Sequence, residues 1–492
     1  MGKSAVEMQG IRQWSPSRLL EVAAIEHPFV LLTSLFVCKL SVLIMALAVH
    51  VNGDHPLATV LSGRSGIVFI LASGLFCLAS VVIARQYIAS QQSRSNLFRM
   101  TVAMNLIMVF VVLMAGEVAV RFGTTSSSIK GEQWRWRVLL PRSWEQVASS
   151  TRQLLEQGAG RLSFLVYDDL MGWTTGPNKR SSNGLYYSSW EGIRASHEGV
   201  SYPKVTERTR IALVGDSFTF ADDVAYEDSW GYQLEKALGS GYEVLNFGVS
   251  GYGIDQAFLR YQKDVRRWNP TVVIFGLISN DVERTMTLYH ALSPDWWGIP
   301  FSKPRFILQA ERLQALNVPP LMPQDLFSRG SIFDVPFIEY DRGYRSNDWQ
   351  STFLHRSYLV RAILTLFPRW EAVAPEKSDE AMIAVNASIL QSFVQSARSV
   401  GTIPLVVFFP EANAEFAEQG HSVPIGIKVL KKTGLGYVDL TPCLNSIPAT
   451  ERFVPKHSHY SAQTNAKVAQ CLAPVVKEAQ ASLLTGTHHE PL

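Results

Sequence analysis

Three long apolar runs lie in the first quarter of the chain. They cover residues 29–51, 66–84 and 101–120, and each is close to the ~20 residues that span a bilayer. A single run of this kind could be a buried core helix, but three in succession with short polar links favour membrane spans. We therefore predict three transmembrane helices in an N-terminal membrane region, residues 1–122.

After residue 206 the pattern changes to short apolar runs that alternate with amphipathic segments. The short apolar runs are residues 211–215, 243–249, 271–277, 403–409 and 436–440. The amphipathic segments are residues 227–238, 254–268 and 379–401, with a last one from about Ser461. Alternation of strands and helices at these lengths predicts an α/β domain whose parallel strands are joined by right-handed crossovers.

The same patterns predict how the chain is divided. Residues 123–206, rich in Ser, Arg and Trp, are expected to form a linker or collar between the membrane region and the α/β domain, which we place at residues 207–485. An insertion of about residues 283–377 leaves this domain after the third strand, at the edge where open parallel sheets bind ligands.

The insertion is rich in aromatic residues. Its tryptophans are Trp296, Trp297, Trp349 and Trp370. Two interpretations stay open, since these side chains could form a substrate wall or could pack the insertion onto the α/β core.

The positions of the basic residues are more informative than the formal net charge, which is only +3. The basic residues near the spans are Lys3, Arg12 and Arg18 before the first span, Arg64 in the first link, and Arg85, Arg94 and Arg99 around the second link. The positive-inside rule places the amino terminus and the second link in the cytoplasm. Three spans then carry the α/β domain to the other side, so we predict a multi-pass protein of the cytoplasmic (inner) membrane with this domain on the periplasmic or extracellular face.

One basic residue lies inside a predicted span. Lys39 is near the middle of the first run, where a charge is costly and calls for a partner on a neighbouring helix. Glu117 in the third run is a candidate partner.

The chain has four cysteines in two settings. Cys38 and Cys77 lie within predicted spans, whereas Cys443 and Cys471 lie in the exported part. Their spacing matches no metal motif. An oxidising compartment permits a disulfide between Cys443 and Cys471.

Polar residues follow four of the predicted strands. They are Ser217 in "GDSF" after the first strand, Gly251 in "NFGVSG" after the second, Asn280 in "SND" after the third, and His459 in "HYS" after the fifth. In a parallel sheet these loops converge on one edge. Ser217 is a candidate nucleophile with His459 as its base, and the Ser217 and Gly251 amides and the Asn280 side chain are candidate donors to an oxyanion.

These four blocks, in this order, resemble those of the SGNH superfamily, also called GDSL hydrolases. The resemblance covers about residues 207–485. It implies a three-layer flavodoxin-like fold with a parallel sheet, a serine nucleophile, no metal and no cofactor. It also implies cleavage or transfer of esters on lipids, small molecules or glycans.

One position departs from the family pattern. The family usually has an aspartate two or three residues before its histidine, where this chain has His457 and Lys456. The orienting role then falls to a backbone carbonyl, to Asp439, or to no residue. An alternative alignment makes His457 the base, although "HYSAQTNAKVA" fits the family pattern better from His459.

The other acids near the candidate nucleophile have simpler expected roles. Asp216 is expected to organise its turn and is at most a supporting residue of the site. Asp222 and Asp223 are expected to be solvated loop acids.

The leading functional hypothesis is a bacterial, membrane-anchored, extracytoplasmic serine ester hydrolase that forms an acyl-enzyme on Ser217. Its expected partners are an acylated carbohydrate or lipid substrate, the lipid bilayer, and proteins of envelope or polysaccharide assembly; no nucleic-acid motif is present. One alternative is an O-acyltransferase that modifies a cell-envelope or secreted polysaccharide. Another is a catalytically degenerate SGNH binding module, which the missing aspartate motivates.

Overall fold

The structure is a computed structural model that describes residues 28–52, 64–93, 96–127, 131–158, 160–292, 298–416 and 423–485. The chain divides into two compact units. The first contains Met1–Ser127, Glu132–Arg142 and Asn347–Ala372, and the second contains Ser128–Gly131, Ser143–Ser346 and Val373–Leu492.

Three long helices dominate the first unit. They are α1 (Pro28–Asn52), α2 (Arg64–Ser93) and α3 (Leu97–Gly123). Each contains a stretch of 23 to 27 residues that is long and apolar enough to cross a membrane, and each exposes large apolar side chains, which are the majority of such side chains in α2 and α3. The three predicted spans are therefore present as helices, with the second and third longer than predicted because polar flanking residues continue the helical turns.

The rest of the first unit is small. It contains a three-stranded sheet formed by Thr124–Ser127, Gly131–Trp134 and Arg137–Val138, and the helix Tyr358–Leu366. Lys39 in α1 donates to the Oδ1 atom of Asn105 in α3. The partner of Lys39 is thus Asn105 and not Glu117, whose carboxylate is occupied by the start of helix Tyr358–Leu366.

A five-stranded parallel sheet forms the centre of the second unit. Its strands are β1 (Thr209–Val214), β2 (Tyr242–Asn246), β3 (Val272–Leu277), β4 (Ile403–Phe408) and β5 (Val438–Asp439), in the order β5-β4-β3-β1-β2. In the register of the central strand, Ile274 pairs with Leu213 on one side and Leu405 on the other. All six residues of β3 are buried, as expected for a parallel strand covered on both faces. The predicted α/β fold is confirmed.

Helices cover both faces of this sheet. The longer ones are Trp230–Leu238, Ile254–Arg260, Asp379–Arg398, Ile425–Thr433 and Ala462–Thr485. Alternate side chains of β3 enter different cores: Phe275 packs in a cluster with Phe393, and Ile274 in a second cluster with Leu472. The domain therefore has three layers.

Residues 143–206 belong to the second unit, which differs from the predicted boundary at residues 206 and 207. They form the helix Trp144–Gln157 and the two hairpins Leu165–Asp168 with Gly172–Thr175 and Tyr187–Ser188 with Arg194–Ala195. Trp173 and Ile193 are fully buried in the same core as the sheet. This burial makes the predicted collar part of the α/β unit.

The insertion is shared between the two units. In the second unit it forms the hairpin Arg305–Gln309 with Arg312–Leu316 and the short helix Pro323–Phe327. Trp349 and Trp370 belong to the first unit, where the guanidinium of Arg142 lies 4.6 Å from the ring centroid of Trp349. Trp296 and Trp297 lie outside the described residues. A substrate wall built from Trp349 and Trp370 is therefore not supported.

Three further short α-helices lie in the second unit, namely Ser217–Phe220, Ser279–Arg284 and Thr441–Leu444. Cys443 in the last of these is bonded to Cys471 in helix Ala462–Thr485 as a disulfide. Cys38 and Cys77 are free.

Candidate active site

Ser217 begins a single helical turn directly after β1. Asp216 caps this turn, since one of its carboxylate oxygens accepts hydrogen bonds from the amides of Phe218 at 2.9 Å and Thr219 at 3.4 Å. A Cβ atom at Gly215 would overlap the Thr219 hydroxyl, so only glycine fits there. The "GDS" tripeptide therefore holds Ser217 rigidly at the carboxyl edge of the sheet, and Asp216 has the structural role expected of it.

His459 lies against Ser217. Its Nε2 atom is 2.9 Å from Ser217 Oγ, and its Nδ1 atom is 2.6 Å from Asp223 Oδ2. Because a carboxylate only accepts hydrogen bonds, Nδ1 carries a proton and Nε2 accepts from the hydroxyl. The three side chains form one continuous chain of hydrogen bonds.

The acid of this chain is not one of the predicted candidates. The predicted candidate, Asp439, accepts from the amide of Thr441 at 2.8 Å and so supports its own turn. Asp223, which contacts His459 instead, was expected to be a solvated loop acid. His457 lies with its Nδ1 atom 3.3 Å from Asp223 Oδ1, on the other oxygen of the carboxylate that contacts His459. His459, rather than His457, contacts Ser217, and this geometry favours the alignment from His459.

The loop that carries Asp223 is held by residues of the predicted collar. The buried guanidinium of Arg194 donates to the carbonyls of Phe220, Ala221 at 2.7 Å and Val224 at 2.8 Å. The amide of Asp223 donates to the Tyr186 hydroxyl at 2.7 Å. These contacts hold a conformation that side-chain-bearing residues rarely adopt, since φ is +63° at Ala221 and +69° at Asp223.

Asp222 is buried and linked to the second sequence block. The Ser250 hydroxyl lies 2.9 and 2.7 Å from its two carboxylate oxygens. The expectation of a solvated acid is therefore wrong for Asp222. This contact ties the loop after Ser217 to the loop after β2.

The surroundings of His459 set its affinity for protons. Burial alone would lower the pKa of its imidazole, but the hydrogen bond to Asp223 and the charges of Asp222, Asp223 and Asp216 outweigh burial, so the pKa lies above its ordinary value. The carboxylates thus favour the imidazolium that forms when the histidine takes a proton.

The candidate oxyanion donors are placed differently from one another. In the described part of the chain, the amides of Ser217 and Gly251 donate to no protein acceptor. Gly251 has φ of +82°. Asn280 lies after β3 and its side chain is exposed. Its backbone amide donates to Glu411 Oε1 at 2.8 Å. The role of these three residues in an oxyanion hole stays a prediction.

Buried charged side chains also contact the turn that carries Ser217. The Nη1 atom of Arg284 is 2.8 Å from Asp281 Oδ1 and 3.3 Å from Asp216 Oδ2. Burial raises the pKa of both aspartates, and the guanidinium opposes this by favouring their charged forms. Arg284 therefore links the first block to the third.

A cavity of about 330 Å³ adjoins the loop before His459. Its lining residues are Glu411, Ala412, Asn413, Ala449, Thr450, Phe453, Val454, Pro455, Lys456, His457 and Ser458. Burial and the charge of Glu415 raise the pKa of Glu411 to about 8, so Glu411 is mostly a neutral acid at pH 7. The cavity therefore offers polar groups of several kinds and the ring of Phe453.

No group of three or more His, Cys, Asp or Glu side chains in the described ranges is arranged to hold a metal ion. The expectation that the reaction needs neither metal nor cofactor stays a prediction.

Comparison with protein families gives one match. Residues 211–302 match the model of the GDSL-like lipase/acylhydrolase family. This segment contains most of β1, all of β2 and β3, and three of the four sequence blocks. Among curated proteins no sequence matches the chain.

Several solved structures are similar to a little over half of this chain. A protein assigned to the lipolytic G-D-S-L family from Desulfitobacterium hafniense DCB-2 has 12% sequence identity, a TM-score of 0.28, and coverage of 55% of this chain and 99% of that chain. The acetylxylan esterase Axe2 from Geobacillus stearothermophilus has 13% identity, a TM-score of 0.29, and coverage of 56% and 96%. The acetyl xylan esterase AlAXEase has 12% identity, a TM-score of 0.29, and coverage of 54% and 99%.

Proposed function

We propose that this chain, whose residues 211–302 match the GDSL-like lipase/acylhydrolase family, is a membrane-anchored serine esterase that forms an acyl-enzyme on Ser217. The observation that carries the proposal is the chain of hydrogen bonds from Ser217 through His459 to Asp223. A serine in a turn needs no such partners, whereas a nucleophilic serine needs a base held by a third group.

The geometry supports a two-step reaction. His459 Nε2 takes the hydroxyl proton as Ser217 Oγ attacks the ester carbon, and the negative charge on the carbonyl oxygen is stabilised by the amides of Ser217 and Gly251, with Asn280 as a third donor. The imidazolium then gives its proton to the leaving alcohol, and the acyl group remains on Ser217. Water, deprotonated by His459, releases the acid and restores the hydroxyl. Asp223 stays charged throughout and holds the imidazole in the reactive tautomer.

The cavity that adjoins the loop before His459 favours an acylated carbohydrate over a long-chain lipid ester. Most of its lining is polar, and Asn413, Lys456 and Ser458 offer donors and acceptors for hydroxyl groups. A volume of about 330 Å³ is at the small end of ligand pockets. We therefore propose a short-chain acyl ester of a glycan as the substrate class.

The basic residues that flank the spans support one side of the membrane for the proposed reaction. The excess of basic residues at the amino terminus and around the link between α2 and α3 supports an extracytoplasmic second unit. An acylated envelope or secreted glycan would then be within reach.

Ester turnover by the full-length protein in detergent tests this function. Wild type should hydrolyse p-nitrophenyl acetate and an acetylated oligosaccharide faster than p-nitrophenyl palmitate, and Ser217→Ala should hydrolyse none of them. Transfer of the acetyl group to an added oligosaccharide, with little release of acetate, would instead identify an O-acyltransferase. Equal hydrolysis by wild type and Ser217→Ala would overturn the proposal.

A further inference from the structure

A helix of the insertion is fixed to the third membrane helix by one carboxylate. The Glu117 side chain accepts hydrogen bonds from the Ser357 hydroxyl at 2.7 Å, the Tyr358 amide at 3.1 Å and the Leu359 amide at 2.9 Å. The two amides belong to the first turn of helix Tyr358–Leu366, where backbone N–H groups have no acceptor within the helix. A carboxylate is a favourable acceptor for them, because the start of a helix attracts negative charge. The contact anchors the beginning of this helix on α3.

The depth of this anchor follows from helix geometry. Glu117 precedes Gly123, the last residue of α3, by six positions, which corresponds to ~9 Å along the axis at 1.5 Å per residue. Packing continues there, because a Leu359 methyl lies 3.2 Å from the place where Gly116 would carry a Cβ atom. The helix thus begins beside the last turns of the span.

The chain then returns to the first membrane helix. The amide of Trp370 donates to the carbonyl of Val51 at 2.8 Å, in the last turn of α1. Residues 353–370, which we call the bridging segment, therefore run from the end of α3 to the end of α1. Both ends are carboxyl ends, and they lie on the same side of the membrane in an arrangement of three successive spans.

The bridging segment has the side chains of a membrane interface. Its exposed large apolar residues are Phe353 (76% exposed), Leu354, Leu366, Phe367 (45%) and Trp370. Its basic residues are His355, Arg356, Arg361 and Arg369, and it contains no Asp or Glu. Aromatic and leucine side chains beside arginines, without any Asp or Glu, are the composition of segments that lie among lipid headgroups.

We infer that the bridging segment lies in the extracytoplasmic interface of the bilayer that α1, α2 and α3 cross, with its exposed apolar side chains among lipid chains. This rests on the membrane anchoring in the proposed function and is independent of the esterase chemistry. The lipid is favoured as the occupant because the segment that carries these exposed apolar residues is hydrogen-bonded to the apolar spans α1 and α3 themselves. The insertion is consequently a second membrane attachment of a chain whose catalytic residues lie in the other unit.

Spin labels on the full chain test the inference. In a Cys38→Ser, Cys77→Ser background, Phe353→Cys and Phe367→Cys carry a nitroxide in nanodiscs of phosphatidylethanolamine and phosphatidylglycerol. Collisions with oxygen, which concentrates in lipid, and with a water-soluble nickel chelate are measured at each label. Val205→Cys, 88% exposed in the second unit, is the water control, and Met108→Cys, 61% exposed in α3, is the lipid control.

The inference expects labels at Phe353 and Phe367 to collide more with oxygen than with nickel, as the label at Met108 does. Labels that collide with nickel as strongly as the label at Val205 would overturn it. Labels shielded from both reagents would also overturn it, because a protein surface such as a second copy would then cover the segment. If the label at Met108 itself collides with nickel, the membrane anchoring of the proposed function fails.

Discussion

The carboxylate that contacts Nδ1 of His459 comes from the loop after Ser217, the candidate nucleophile. Asp223 lies six residues after Ser217 and reaches Nδ1 of His459 at 2.6 Å. Arg194 and Tyr186 hold that loop in a left-handed conformation. The position before the histidine therefore needs no acid, and His457 lies there instead, beside the same carboxylate.

The exchange of this one carboxylate for an amide is the first prediction. Asp223→Asn keeps the shape but disfavours the tautomer that accepts from Ser217, and the comparable change in a serine protease lowers kcat ~10⁴-fold. We expect a loss approaching this size in steady-state ester hydrolysis. Asp439→Asn is the matched control and should retain wild-type turnover, because Asp439 only supports its own turn. The reverse ranking of the two variants would exclude Asp223 as the orienting acid.

The pH dependence of activity is the second prediction. His459 acts as a base only when neutral, and its pKa is raised by Asp223 and the neighbouring acids, so kcat/KM should rise with pH through a midpoint above ~6.5. In Asp223→Asn the burial of the imidazole remains while the main opposing contact is lost. The midpoint should therefore move to lower pH, in addition to the fall in kcat. A residue with a purely structural role would change the height of the profile and leave its midpoint in place.

At the scale of elements, the contact between Glu117 and the start of helix Tyr358–Leu366 can be tested alone. Glu117→Leu leaves the Tyr358 and Leu359 amides without their acceptor, at a cost of about 1–3 kcal/mol. Hydrogen exchange of these amides should accelerate by about 5- to 150-fold. Glu132→Gln is the control, because the Glu132 carboxylate accepts from the Tyr358 hydroxyl and from Arg361 but not from these amides. Equal exchange in wild type and Glu117→Leu would show that the helix does not depend on this anchor.

The strands and helices of the α/β unit could be predicted because each has a local pattern. The apolar run "TVVIFGL" becomes β3, buried on both faces, and the amphipathic segment after residue 378 becomes helix Asp379–Arg398. The predicted positions of Ser217 and His459 followed from the same reasoning, since strand ends meet at one edge.

The missing acid could not be predicted from those patterns. Asp223 depends on the path of its loop, and that path depends on Arg194 from a segment that looked like a separate collar. The only local signal was the pair of acids in "FADD", which is equally typical of a solvated turn. Likewise, nothing in the spacing of Glu117 indicates a helix that begins 241 residues later.

For the whole molecule, the side of the membrane on which the second unit lies can be tested with reporter fusions. A reporter fused after Phe122 should be active only outside the cytoplasm, and one fused between Arg85 and Arg99 only inside it, because the positive-inside rule predicts a cytoplasmic location for the basic residues around the second link. Alkaline phosphatase and a fluorescent protein, each fused at both positions, make the assay reciprocal. The opposite pattern would place the candidate active site in the cytoplasm and refute the proposed envelope substrate.

Covalent labelling of the whole chain by a fluorophosphonate probe tests the account most directly, because the probe reacts only with an activated serine. We predict one labelled residue in wild type, identified as Ser217 by mass spectrometry of the digested protein. Ser217→Ala and His459→Ala should lose the label, whereas His457→Ala should keep it, because His459 is the histidine whose Nε2 contacts Ser217 Oγ. Labelling of Ser217→Ala at the wild-type level, or no labelling of correctly folded wild type, would contradict the account.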